Sequence, residues 1–100
     1  MDAKKIEEIL KHYSPEAQTI QAIEELGELQ AELARILNGK TGDYFGRINT
    51  KDLKSEMADV YIMILQLMII YDIDPEEFDA EMAFKLDRQM KRISEEKNEE

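Results

Sequence analysis

The residues best suited to chemistry are acidic and fall in two groups. One is Glu24-Glu25-Leu26-Gly27-Glu28; the other is Glu56-Met57-Ala58-Asp59. On a helix, positions i and i+3 lie about 60° apart around the axis, so Glu25 and Glu28 project together, as do Glu56 and Asp59. Like charges at that spacing repel unless a cation sits between them. Two such helices packed antiparallel would bring four carboxylates together. Asp59 sharpens the point, because it stands in the most apolar stretch of the chain and an unpaired buried carboxylate costs several kcal/mol. It needs a partner, a metal or an outward face. All the donors are hard oxygens, which favours Mg²⁺, with Mn²⁺ as a substitute. A di-iron centre would need Glu-x-x-His pairs, and the only histidine, His12, lies in no such motif and reads as a surface residue. Taken singly, either acidic pair is better explained by a solvated helix face; together they make a candidate metal site.

The elements that must position these groups are all helical. Ile6, Ile9, Leu10 and Tyr13 recur at helical spacing and predict a first helix over about 2–12. Ser14-Pro15-Glu16 is a helix start, with Ser14 as cap, Pro15 at the first helical position and an acid in the first turn. The second helix is expected to run to about Leu37, with Ala22, Leu26, Leu29, Leu33, Ile36 and Leu37 as its apolar stripe and Asn38-Gly39 as its stop. Gly27, inside it, suggests close approach of another backbone. A loop follows over 38–49, carrying Gly39, Gly42 and Gly46 with Tyr44 and Phe45 between them; it reads as a lid over substrate or as a variable surface loop. Thr50 can cap a third helix over about 51–71. Between Met57 and Ile70 only Asp59 and Gln66 are polar. That run is too short for a membrane span, which needs roughly 18 or more apolar residues, yet too apolar for one short chain to enclose. It is therefore expected at the centre of an oligomer. Asp74-Pro75-Glu76-Glu77 has the form of a capping box. The fourth helix is expected to reach Ile93 on a stripe of Phe78, Met82, Leu86, Met90 and Ile93, before an acidic tail over 94–100 that frays.

The expectation is thus an all-α, four-helix bundle-like chain packed in a homo-oligomer, with residues 1–93 as one domain. The 100 residues suffice for one domain. A formal net charge of −10 opposes a clamp on a nucleic-acid polymer. The absence of cysteine excludes disulfides, iron–sulfur clusters and thiolate zinc sites. No membrane partner is expected, and no secretory segment is recognisable at the start, so the expected compartment is the cytoplasm.

The joined pattern Glu24-Glu25-x-x-Glu28, 27 residues, Glu56-x-x-Asp59 resembles the signature of the all-α nucleoside triphosphate pyrophosphohydrolases, the MazG-like superfamily. The wording around it, Ile23 to Leu29 and Glu56 to Val60, is similar to that family, as is Lys85-Leu86-Asp87-Arg88. The resemblance covers about residues 10–93. It implies a homodimer or homotetramer that hydrolyses nucleoside triphosphates between the α and β phosphates, giving nucleoside monophosphate and pyrophosphate. It also implies Mg²⁺ held by Glu25, Glu28, Glu56 and Asp59.

In that reading the metal would neutralise the triphosphate and activate a water for in-line attack. Glu24 is the candidate to take the proton from the attacking water. Lys85 and Arg88 match basic positions of the family and are the candidates for the remaining phosphate oxygens; Lys54, with Lys51 and Arg92, is a weaker one. Tyr44 and Phe45 could stack on a base, but residues selecting the nucleobase are not readable. Two alternatives stay open: a narrower, dUTPase-like member, and a helical oligomerisation or protein-binding module that keeps the fold without catalysis.

Overall fold

The computed structural model describes residues 2–39 and 50–99. Among these every element is a helix: α1 (Ala3–His12), α2 (Pro15–Leu37), α3 (Lys51–Ile70) and α4 (Pro75–Glu99). The expected lid, with Tyr44 and Phe45, lies outside the described residues apart from Asn38 and Gly39.

The helix ends follow from local chemistry. Asp2 and Ser14 cap α1 and α2, accepting from Lys5 N–H at 3.2 Å and Ala17 N–H at 3.0 Å. Gly39 ends α2 with φ 70°, and its N–H donates to the Ile36 carbonyl. Asp72 plays the same part after α3, with φ 52°. Its N–H donates to the Ile69 carbonyl and that of Ile73 to the Met68 carbonyl, the paired bonds of a Schellman stop. Pro75 then opens α4, which continues to Glu99 instead of stopping at Ile93. The acidic tail therefore extends the helix in this structure, in keeping with the good helix propensity of Glu and Lys.

The main pairing is α2 against α3, with α1 laid on α3 and α4 touching the rest only sparsely. The two central helices run antiparallel in a register marked at one end by the Gln18 side-chain amide, which donates to Gln66 Oε1 at 2.8 Å in a buried position. Gln66 Nε2 in turn faces Met63 Sδ at 3.6 Å. Near that end, the Thr19 and Tyr71 hydroxyls hydrogen-bond at 2.8 Å.

The face that α2 turns to α3 takes only half of its expected apolar stripe, Ala22, Leu29 and Ile36. The residues of α2 that are buried or half-buried include Gln18, Ala22, Glu25, Leu29, Glu32 and Ile36, whereas Leu26, Leu33 and Leu37 are exposed. The seam between the helices is therefore polar for much of its length. The apolar surface left over is extensive: Tyr61, Ile62 and Ile64 on α3 and Met82, Leu86 and Met90 on α4 are exposed. α3, expected to be buried on nearly all sides, is covered only in part within a single chain, by α2 and by α1. No helix of the described residues is long and apolar enough to cross a membrane.

Candidate metal centre

The α2–α3 seam brings three of the four expected ligands together. One carboxylate oxygen from each of Glu25, Glu56 and Asp59 lies within 4.8 Å of the other two, all three residues being half-buried. The register explains the meeting. Each step toward the C-terminus of α2 moves one step toward the N-terminus of α3. With Gln18 opposite Gln66, Glu25 falls opposite Asp59 and Glu28 opposite Glu56.

The oxygens are not equally occupied. Gln21 Nε2 donates to Glu25 Oε1 at 2.8 Å, while Glu25 Oε2 is buried and has no hydrogen-bond partner among the described residues. Glu56 Oε2 is in the same condition. A buried acceptor without a donor costs about 1–3 kcal/mol, and more when it is charged. The carboxyl of Glu25 is accordingly raised above its ordinary range. The Gln21 amide, its strongest neighbour, pulls it down; burial and the charges of Glu28 and Asp59 outweigh that pull. Glu28 itself is exposed and stands outside the three-oxygen group, though close enough for its charge and side chain to act on Glu25. Crowded, half-dry carboxylates with free oxygens fit a hard divalent cation, which would supply the missing partner to each.

One buried carboxylate of the same seam was not singled out by the sequence. Glu32 is only 1% exposed, one turn beyond Glu28 on the same face of α2. Its Oε2 accepts from Arg35 Nε at 3.1 Å and also from Arg35 Nη2, while Oε1 is buried and has no hydrogen-bond partner among the described residues. The spacing of Glu25, Glu28 and Glu32, at i, i+3 and i+7, carried the signal, but Glu32 stands between Leu29 and Leu33 and reads as an interruption of an apolar stripe.

The remaining candidates lie apart from the carboxylates. Glu24 is exposed, about a quarter-turn around α2 from Glu25. Lys54 is exposed near the start of α3. Lys85 and Arg88 are exposed on α4; Arg88 sits over the Phe84 ring, 5.8 Å from its centre, and among the described residues neither pairs with a carboxylate of the seam. His12 is exposed, edge-on to Tyr13 at 4.6 Å between ring centres.

No family model, curated protein or solved structure matches this chain.

Proposed function

We propose that this protein is a Mg²⁺-dependent nucleotide pyrophosphohydrolase of the MazG-like kind. The observation that carries the reading is the meeting of Glu25, Glu56 and Asp59 within 4.8 Å, with Glu25 Oε2 and Glu56 Oε2 buried and without donors. Glu25, Glu56 and Asp59 would hold the cation, with Glu28 joining them from the edge of the seam. When bound, Mg²⁺ would offset the charge of a triphosphate and lower the pKa of the attacking water.

The chain's own residues do the rest. Gln21 holds Glu25 in place through Oε1, leaving Oε2 for the ion. The neutral Gln18–Gln66 bond keeps the helices in the register that aligns the carboxylates. Glu24 is proposed to accept the proton as water adds to the α-phosphorus. The bond from the α-phosphorus to the bridging oxygen breaks, and pyrophosphate leaves. Lys85, Arg88 and Lys54 remain candidates for phosphate contact; with α4 standing apart, Lys85 and Arg88 would reach the site of another subunit in a homodimer or homotetramer.

The test is product analysis over a panel of nucleoside triphosphates with Mg²⁺ or Mn²⁺. Monophosphate plus pyrophosphate is expected from wild type, with turnover falling at least about a thousandfold in Glu28→Gln at unchanged helicity, a loss of roughly 4 kcal/mol of transition-state stabilisation. Full turnover in Glu28→Gln would refute the ligand assignment. No turnover on any nucleotide would favour the binding module, whose supporting observation is the exposed apolar stripe of α4.

A further inference from the structure

Glu25 and Glu32 share an arrangement. Each has one carboxylate oxygen held by a neighbour about one turn away on α2, Gln21 for Glu25 and Arg35 for Glu32. Each has its other oxygen buried and without a hydrogen-bond partner among the described residues. Arg35 also ties Glu32 to the seam, for the guanidinium that grips it lies in the field of Asp52 and Glu56 on α3. The helix register places Glu32 opposite Asp52, one turn from Glu56. A carboxylate with 1% exposure and one bare oxygen is a costly thing to keep unless that oxygen acquires a donor.

We propose that Glu32 is a further carboxylate of the metal centre, its Oε1 accepting a hydrogen bond from the hydration shell of the cation held by Glu25, Glu56 and Asp59. Glu32 stands outside the three-oxygen group, so it acts through water and not as a direct ligand. Arg35 is the counter-ion of Glu32 and fixes its rotamer. The proposal rests on the metal-binding reading above and extends it to a residue outside both acidic motifs. A layer of this kind orients the water around an ion and raises its affinity, typically by ten- to a hundredfold.

The test is titration of the metal-free protein with Mn²⁺ alone, read by electron paramagnetic resonance of the free ion. Wild type is expected to bind. In Glu32→Gln the Kd is expected to rise by about ten- to a hundredfold, with helicity retained. A structural role alone would lower the melting temperature of the metal-free protein and leave Kd unchanged, so a wild-type Kd in folded Glu32→Gln overturns the proposal and spares the underlying metal reading. Failure of wild type to bind Mn²⁺ overturns both. Should Glu32→Gln not fold, Glu32→Asp decides, since it keeps the charge for Arg35 but withdraws the free oxygen by one methylene. A raised Kd in that variant supports the proposal and an unchanged one refutes it.

Discussion

At the scale of single residues, the carboxylates of the seam work against the fold until something positive joins them. Glu25 shows this most directly. Because its folded pKa is raised above the ordinary 4.5, its favourable contribution to stability is present below the unfolded value. That contribution is lost as pH rises through the folded pKa. In metal-free protein, Glu25→Gln is therefore expected to raise the melting temperature near pH 7. The gain over wild type should shrink as the pH falls toward the unfolded pKa. Thermal melts of both proteins with chelator present check this, and a gain that grows on acidification would contradict the raised pKa. Saturating divalent cation is expected to reverse the order, because the amide offers the ion a poorer ligand. The acidic pairs were legible in the sequence because i, i+3 spacing is a local property. Glu32 was not, because its burial depends on which face of α2 meets α3, and no local pattern states that.

At the scale of elements, caps and stops were the most readable features. Ser14, Pro15, Gly39 and Pro75 each sit where backbone chemistry demands them, so the bounds of α2 and the start of α4 came out close to expectation; α3 starts after Thr50 as expected, but the Thr50 side chain makes no capping bond. The packing face of α2 came out only in half, through Ala22, Leu29 and Ile36. It carries two faces: a seam toward α3 that includes its carboxylates, and Leu26, Leu33 and Leu37 turned outward. Hydrophobicity identifies the second as a surface to be covered but does not say by what. Gly27 is a related case. A close backbone neighbour was expected there, yet a Cβ at that position meets nothing within 4 Å in the single chain. Gly27→Ala is therefore expected to stabilise α2 by about 1 kcal/mol through helix propensity, measured by denaturant unfolding. A destabilised variant would mean that a second chain passes close to Gly27 in the assembly.

At the scale of the whole molecule, one chain is too open for its length. Its radius of gyration is 17.6 Å, against about 13 Å for a compact domain of this size. Its extents of 53 × 35 × 22 Å describe an elongated body with α4 as an arm. Apolar side chains line a groove between α3 and α4, among them Tyr61, Leu65, Met68, Phe78 and Met82. Exposed apolar area on this scale is a mark of association. Sedimentation equilibrium at micromolar concentration is expected to show a dimer or tetramer. Leu86→Asp, on the exposed stripe of α4, is expected to shift it toward monomer. A monomeric wild type would refute the assembly.

The buried Gln18–Gln66 bond has a consequence for how the seam responds to its surroundings. An amide pair carries no net charge and does not titrate, so neither acid nor added salt loosens it through charge. The carboxylates farther along the same seam do both, since their mutual repulsion is screened over a Debye length of about 10 Å at 0.1 M salt and less at higher ionic strength. The two helices thus behave like tongs with a fixed pivot and ionic tips. Salt, protons or a divalent ion act on the grip while the pivot keeps the tips facing one another.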